Sequence, residues 1–255
     1  MGKVIFVSAG PGAADLITLR GARALARADV VLFDALTDPA LRELAPDAQW
    51  IDVGKRGFCH STKQTAINAA LVKQAQQHGL VVRLKGGDAS VFGRLEEELI
   101  ALAEAGIESE VVPGVTAAIA AAAQTQRPLT RRGSGRSVSL STAMTKDGEL
   151  VAQHGSGYRA DTEVFYMAGQ QLAALSRKLI EAGWPAGTPV SVVSKAGCAD
   201  ALASDHAVAS LGAASMLHKG RPTVVTVGAG ARPLANNTEF ERMPAQQALV
   251  EALSD

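Results

Sequence analysis

Short, mostly apolar runs alternate with longer segments of helical periodicity over the first half of the chain. Runs of strand length occupy residues 4–7, 30–33, 51–53, 80–82 and 108–112. Apolar residues recur at helical spacing over residues 16–26 and 96–105, and a short helix is predicted from Asp38-Pro39. Ser61-x-x-Gln64 has the spacing of a capping box before a helix that ends near residue 78. This alternation predicts a parallel α/β sheet.

A similar alternation returns in the second half, after a change of composition near residues 114–118. Strands are predicted at residues 138–141, 164–167, 190–193 and 224–227, with a weak strand near residues 207–208. Helices are predicted at residues 117–123, at 171–182 and in a short segment up to 217. The predicted fold class is α/β, with two α/β domains over residues 1–115 and 116–232. A tail over residues 233–255 contains a predicted short helix at 245–253.

Composition excludes several classes of protein. The 255 residues are 47% apolar and 20% charged, which is typical of a globular protein. Lys and Arg together number 25, as do Asp and Glu, so charge gives no reason to expect nucleic acid or a membrane surface as a partner. There is no apolar leader or membrane-length apolar run, and the two cysteines, Cys59 and Cys198, form no disulfide framework. These features predict a cytoplasmic protein.

The loops that follow the predicted strands contain the candidate functional residues. Ligands in parallel α/β folds bind at the carboxyl ends of the strands, so these loops are expected to act as one set. The set consists of Gly10-Pro11-Gly12, Asp34, Gly54-Lys55, Gly86-Gly87-Asp88 and Pro113-Gly114.

The Gly86-Gly87-Asp88 loop combines bare backbone with a carboxylate. Adjacent glycines allow a sharp turn and the close approach of a ligand. Because an acid follows at once, an uncharged or cationic ligand fits better than a phosphate. An ordinary Gly-Gly-Asp turn is the alternative interpretation.

A second loop, Gly10-Pro11-Gly12, imitates the start of a dinucleotide-binding motif, with Asp34 at the end of the next strand. The full fingerprint fails because Asp15 stands at the third glycine position. A nicotinamide-dependent oxidoreductase is nevertheless one hypothesis. Asp34 itself is either a general base or hydrogen-bond acceptor, or an ordinary loop acid.

Residues 111–146 contain no acid but several arginines, which are suited to bidentate binding of carboxylates. A solvated basic surface is the alternative. No histidine or cysteine has the spacing of metal ligands, so no metal is predicted. Met167, within a predicted apolar strand, is expected in the core. The arginines are Arg127, Arg131, Arg132 and Arg136.

Several motifs in fixed order resemble the tetrapyrrole (corrin/porphyrin) methyltransferase family over residues 3–230. They are most similar to the branch that methylates uroporphyrinogen III. The motifs are Ala9-Gly10-Pro11-Gly12, Ala28-Asp29-Val30-Val31-x-x-Asp34, Val53-Gly54-Lys55, Leu84-Lys85-Gly86-Gly87-Asp88-x-x-Val91-Phe92-Gly93-Arg94, Val112-Pro113-Gly114-Val115-Thr116-Ala117, Pro128-Leu129-Thr130 and Val164-Phe165-Tyr166-Met167.

The resemblance implies a tetrapyrrole methylase (class III methyltransferase) fold that binds S-adenosylmethionine in a cleft between two domains. It implies a homodimer without a metal. The implied reaction is C-methylation of uroporphyrinogen III at C2 and C7, which gives precorrin-2 for siroheme, cobalamin or haem d1. The positions that match cofactor contacts are Pro11, Gly86, Gly87, Asp88, Val91, Thr116, Ala117, Met167 and Ala196.

The resemblance also implies roles in catalysis and substrate binding. Asp34 and Lys55 fall on positions proposed as proton acceptor and donor. Arg94, Glu97 and Arg132 fall on positions implicated in holding or deprotonating the tetrapyrrole. Arg94, Arg131 and Arg132 are the implied substrate-binding arginines.

Departures from the family pattern border the substrate side and leave two other hypotheses open. The altered positions include Ala35, Leu95, Arg131, Ala143-Met144 and Thr223. The first hypothesis is methylation of a later corrin (precorrin) intermediate. The second is a non-enzymatic tetrapyrrole carrier.

Overall fold

A computed structural model describes residues 2–54, 64–143 and 159–234. It contains two five-stranded sheets with helices between the strands, which confirms the predicted α/β class. The chain divides into two compact units: unit 1 comprises Met1–Ala121, Val193–Leu202 and Gly220–Val224, and unit 2 comprises Ala122–Val192, Ala203–Lys219 and Val225–Asp255. The domain boundary at residues 115–116 stays a prediction, and the terminal helix at 245–253 lies outside the described residues.

The first sheet has the strand order β3-β2-β4-β1-β5. β1 pairs with β4 and β5, and β2 pairs with β3 and β4, all in parallel. Alternate residues of β1 supply two apolar cores, Val4 and Phe6 on one face and Ile5 and Val7 on the other. Burial on both faces explains the nearly continuous apolar runs. The strands are β1 Lys3–Ser8, β2 Val30–Phe33, β3 Gln49–Asp52, β4 Leu80–Lys85 and β5 Ser109–Val112.

In the described ranges, four α-helices follow strands of the first sheet. The helix predicted over residues 16–26 begins later, because a 3-10 turn at Ala14–Leu16 precedes it and Thr18 caps its first turn. The Thr18 hydroxyl accepts the Gly21 amide at 3.1 Å, which satisfies an otherwise unpaired donor. Ser61 of the predicted capping box lies outside the described residues. The helices are α1 Leu19–Leu25, α2 Gln64–Gln77, α3 Leu95–Glu104 and α4 Ala117–Gln124.

The second sheet has the order β6-β7-β10-β8-β9, and α5 Leu172–Glu181 buries Leu172, Leu175 and Leu179 in the core of unit 2. The weak strand predicted near residues 207–208 lies earlier, because a 3-10 helix already begins at Val208. The strand, Leu202–Ala207, is polar and partly exposed, as suits the edge of a sheet. The pattern of apolar residues therefore predicted its position poorly. The strands are β6 Val138–Thr142, β7 Thr162–Tyr166, β8 Pro189–Ser194, β9 Leu202–Ala207 and β10 Thr223–Gly228.

No helix in the described part of the chain is long and apolar enough to cross a membrane.

Candidate functional site

Two glycine loops of unit 1 are joined to each other where β1 and β4 end. The parallel register places Ser8 beside Lys85, so the loops that follow start side by side. The Gly87 amide donates to the Gly10 carbonyl at 2.7 Å, and the Gly10 amide donates to the Gly87 carbonyl at 3.2 Å. Both glycines have positive φ, +81° and +70°, which side chains disfavour. The sequence placed both loops at strand ends but did not reveal this pairing.

Asp88 connects a third loop to this pair. One carboxylate oxygen accepts the Gly114 amide at 2.7 Å, and the other accepts the Ser90 amide at 2.8 Å. Burial alone would raise the pKa of Asp88, but the hydrogen bonds from Ser90 and Gly114 outweigh it and lower the pKa. Ser8 leaves no room for a side chain at position 114, where a Cβ would lie 2.5 Å from the Ser8 Cβ. Asp88 therefore holds neighbouring backbone as well as contributing negative charge.

The segment around Ala196 approaches the loop that contains Pro11. The Ala13 amide donates to the Gly197 carbonyl at 2.9 Å. A Cβ on Gly12 would lie 2.6 Å from the Gly197 carbonyl carbon, so only glycine allows this approach. The predicted cofactor positions Pro11 and Ala196 are thus brought together within unit 1.

Three further predicted cofactor positions lie near these loops in the chain. The Val91 amide donates to the Asp88 carbonyl at 3.1 Å, which closes the turn after the glycines. Ala117 is the first residue of α4, and the Thr116 carbonyl accepts the amides of Ile119 and Ala120. These hydrogen bonds fix the backbone of the loop after β4, which contains Val91, and of the segment after β5, which contains Thr116 and Ala117.

Asp34, at the end of β2, is held by an arginine that sequence reasoning missed. Arg83 Nη2 donates to Asp34 Oδ1 at 2.6 Å. The Arg83 side chain is only 2% exposed, whereas Asp34 is 30% exposed. Among the described residues, Arg83 is the only side chain that donates to the Asp34 carboxylate. Asp34 therefore combines a buried anchor with access to solvent.

Arg83 belongs to a larger buried charge cluster, which consists of Asp34, Arg83, Lys85 and Glu98. Glu98 accepts Arg83 Nε at 3.2 Å and Lys85 Nζ at 2.9 Å, and Gln64 Nε2 donates to Glu98 Oε1 at 3.1 Å. Burial lowers the pKa of Lys85, and the neighbouring charge of Arg83 lowers it further, while Glu98 and Asp34 oppose this. The sequence contained one signal for this cluster. Arg83 and Lys85 are cations at alternate positions of an otherwise apolar strand, and alternate positions lie on the same face of a sheet.

Arg94 and Glu97, both predicted to act on the substrate, are paired with each other. Arg94 Nε and Nη2 donate to the two Glu97 oxygens at 2.7 Å each. The hydrogen bonds that Arg94 donates to Glu97 raise the pKa of Arg94, although partial burial opposes this. Arg94 precedes α3 in the left-handed conformation, with φ +53°. Lys55, the predicted proton donor, lies outside the described residues.

The arginines of unit 2 are not all available to an anion. Arg127 is buried and pairs with Asp205 of β9, so it is neither free to bind the carboxylates of a ligand nor part of a solvated basic surface. Arg131 donates to the Arg232 carbonyl, and burial, followed by the charges of Arg232 and Arg127, lowers its pKa. Arg132 is exposed. The acid that pairs with Arg127 is 78 residues away in sequence, so local composition could not reveal it.

Met167 is not a core residue, contrary to expectation. It follows β7 rather than lying within it, its side chain is 50% exposed, and its φ is +57°. A methionine in the left-handed region is uncommon, and such conformations concentrate at functional sites. In the ranges that the structure covers, no three His, Cys, Asp or Glu side chains are grouped so that they could hold a metal ion.

Comparison with known proteins identifies the family. The model of Tetrapyrrole (Corrin/Porphyrin) Methylases matches residues 3–204. Uroporphyrinogen-III C-methyltransferase of Pseudomonas aeruginosa is 44% identical over 195 residues, which cover 76% of this chain and 80% of that protein. Siroheme synthase of Escherichia coli is 39% identical over 228 residues, and the chain spans only half of its length.

Solved structures agree with this assignment. Uroporphyrin-III C-methyl transferase from Thermus thermophilus, complexed with S-adenyl homocysteine, has a TM-score of 0.78 and 32% identity over 89% of this chain and 97% of that one. A cobalt precorrin-4 methyltransferase has a TM-score of 0.77 and 26% identity over 91% and 96% of the two chains. On the family match and the similarity of its relatives, this chain belongs to the tetrapyrrole (corrin/porphyrin) methylases.

Proposed function

We propose that this protein is an S-adenosylmethionine-dependent C-methyltransferase that converts uroporphyrinogen III into precorrin-2 by methylation at C2 and C7. The observation that carries the proposal is the joining of the strand-end loops of unit 1, at positions where the family binds its cofactor. The Pseudomonas aeruginosa relative, which this chain covers over 80% of its length, is named uroporphyrinogen-III C-methyltransferase.

The residues of unit 1 fit S-adenosylmethionine. A Cβ at Gly87 would meet no atom of the described residues within 4 Å, so among them open space borders bare backbone. The Asp88 carboxylate beside it suits a ligand with a sulfonium cation. When bound, this cofactor supplies an electrophilic methyl group that an electron-rich pyrrole carbon can attack. The residues proposed to hold it are Pro11, Gly86, Gly87, Asp88, Val91, Thr116, Ala117 and Ala196 in unit 1, and Met167 in unit 2.

Asp34 is the proposed proton acceptor. Methylation of a ring carbon leaves a proton to be removed, and a carboxylate that is partly exposed can reach substrate. Since Arg83 occupies Asp34 Oδ1, Oδ2 is the oxygen proposed to take the proton. Lys55 stays the proposed proton donor. Arg94, Arg131 and Arg132 are proposed to bind the eight carboxylates of the macrocycle, with Glu97 orienting Arg94 or acting as the base in place of Asp34.

Mass spectrometry of the product tests the proposal directly. The purified protein, incubated with uroporphyrinogen III and S-adenosylmethionine, should yield a macrocycle with two added methyl groups. Asp34→Asn should slow methyl transfer while leaving S-adenosylhomocysteine binding intact. An unmodified macrocycle at high protein concentration would contradict the proposal. Tight tetrapyrrole binding without turnover would instead support the carrier hypothesis.

Methylation of a later precorrin is the second candidate. The similarity to a cobalt precorrin-4 methyltransferase favours it, as do the departures from the family pattern at Ala35 and Ala143-Met144. Parallel assays with both substrates separate the candidates, because the preferred substrate should have the higher kcat/KM. The nicotinamide hypothesis has less support, since Gly10-Pro11-Gly12 leads into a three-residue 3-10 turn rather than an α-helix whose N-terminus could bind pyrophosphate.

We further propose a cytoplasmic homodimer, as the family resemblance implies. Sedimentation of the purified protein should give twice the 26.3 kDa mass of the chain. The use of the product for siroheme, cobalamin or haem d1 is likewise part of the proposal, and the siroheme synthases among its relatives favour the first.

A further inference from the structure

In the part of the chain that the structure describes, the buried charge cluster pairs two cations with two anions, and one of its four members is accessible to solvent. Arg83, Lys85 and Glu98 are almost completely buried, and Asp34 alone is substantially exposed. Two cations face two anions, so the formal charges cancel. Within residues 2–54, 64–143 and 159–234, the one further side chain that donates to the side chains of these four residues is the neutral Gln64, on α2. Each substitution that removes one charge therefore changes the net charge of the cluster by one unit.

Several hydrogen bonds hold the Arg83 guanidinium in place beside Asp34. Its Nη1 donates to the carbonyls of Leu32 and Leu84, at 3.3 and 3.1 Å. Its Nε and Nη2 donate to Glu98 at 3.2 to 3.3 Å, and Nη2 also reaches Asp34. Since the planar guanidinium is fixed at three sides, it fixes the Asp34 carboxylate in turn.

We propose that Glu98 and Lys85 are positioning residues for the methyl-transfer reaction, which act through Arg83 to orient Asp34 and to balance its charge. This inference rests on the proposed function of Asp34 as proton acceptor. Glu98 holds Arg83 in place and offsets part of its positive charge. Lys85 offsets Glu98 in turn, so that Arg83 still presents a positive charge to Asp34. Neither residue needs to touch substrate or cofactor.

We predict that two substitutions, each of which replaces a charged side chain with a neutral one of similar shape, shift the acidic limb of the rate profile in opposite directions. Glu98→Gln leaves an excess positive charge, which favours ionised Asp34 and should move the acidic limb of the rate profile to lower pH. Lys85→Met leaves an excess negative charge and should move the same limb to higher pH. We expect shifts of about 0.5 to 1 pH unit, smaller than those of a charge in direct contact. The double variant Glu98→Gln/Lys85→Met restores neutrality and should return the limb toward its wild-type position.

The experiment measures kcat against pH for the wild-type protein and the three variants, with Asp34→Asn to show that the limb belongs to Asp34. Opposite shifts that cancel in the double variant support the inference. Shifts of the same sign, or lower rates with an unmoved limb, overturn it. If the single variants do not fold, the double variant still tests the inference. Its acidic limb should lie near the wild-type position, and a limb shifted from that position overturns the inference.

Carbon-13 NMR titration of the Asp34 carboxyl gives a readout that is independent of turnover. Asp34→Asn identifies the resonance, and the same opposite shifts should appear in its titration midpoint. Wild-type protein that does not methylate any tetrapyrrole would overturn the proposed function. Turnover with unshifted NMR midpoints would overturn only the role of Glu98 and Lys85, so the two failures are distinguishable.

Discussion

Gly10 and Gly87 exchange a pair of backbone hydrogen bonds just beyond the carboxyl ends of β1 and β4. Because both donor–acceptor pairs use backbone atoms, the pairing fixes the two loops without the help of any side chain. Both residues adopt positive φ, which glycine tolerates at little cost. The arrangement leaves bare backbone on one side of Gly87, and no other part of the described chain fills the place where a Cβ would be.

We predict that Gly87→Ala abolishes cofactor binding through occupation of this space. The substitution also imposes a left-handed alanine, at a cost of about 1 to 2 kcal/mol in the free energy of unfolding. Calorimetry with S-adenosylhomocysteine should show at least a tenfold loss of affinity. Thermal unfolding should show that the fold is retained.

Gly106→Ala is the matched control for this substitution. Gly106 also has positive φ, +67°, and a Cβ there would meet no atom of the residues that the structure describes within 4 Å. It follows α3, away from the loop pair in sequence. The control should lose similar stability and bind S-adenosylhomocysteine normally. Equal losses of affinity in both variants would show that backbone strain, not the cofactor position, explains the effect.

Arg127 is predicted to stabilise unit 2 rather than to bind substrate. Asp205→Asn leaves the buried guanidinium without its anionic partner and should lower the free energy of unfolding by about 1 to 3 kcal/mol, less than for a fully buried pair because Asp205 is partly exposed. Denaturant unfolding measures the change. Asp200→Asn, which breaks the exposed pair with Lys195, should cost less than about 1 kcal/mol. If Asp205→Asn leaves the free energy of unfolding unchanged but raises KM for the tetrapyrrole, Arg127 binds substrate and this prediction is wrong.

The fold was predictable because strand-length apolar runs and helical periodicity are local signals. The strand ends followed from those runs, so the loops at Gly10, Gly87 and Gly114 could be assigned to one edge of the sheet. The connections between the loops could not be predicted, because they join backbone atoms far apart in sequence. β9 was the weakest strand assignment, since its apolar residues are few.

Charges were harder to interpret than glycines. Arg83 and Lys85 continue an apolar strand, and only the packing of α3 shows that Glu98 compensates both. The acid-free stretch around Arg127 suggested a free cationic surface, but its partner Asp205 comes from another strand. Pairing of charges across a fold depends on tertiary packing, which neither periodicity nor local composition contains.

Arg94 is predicted to contribute to substrate binding and little to stability. Its pair with Glu97 is nearly half exposed, so Arg94→Gln should change the free energy of unfolding by less than about 1 kcal/mol. Loss of a charge-assisted hydrogen bond to a substrate carboxylate should raise KM for uroporphyrinogen III by about tenfold or more. Lys178→Gln breaks an exposed pair of the same i,i+3 spacing in α5 and should leave KM unchanged. Equal KM values for the two variants would remove Arg94 from the substrate site.

Met167→Gly is predicted to improve stability and impair cofactor binding at the same time. Glycine accepts φ +57° without the steric cost of a Cβ, and the half-exposed side chain contributes little packing. The free energy of unfolding should rise by up to about 1 kcal/mol. Gln126→Gly is the matched control, because Gln126 is exposed with φ +53° in the same unit and should show a similar gain. Affinity for S-adenosylhomocysteine, measured by calorimetry, should fall in Met167→Gly alone. A stabilised Met167→Gly that binds normally would show that this strained methionine has no role in holding the cofactor.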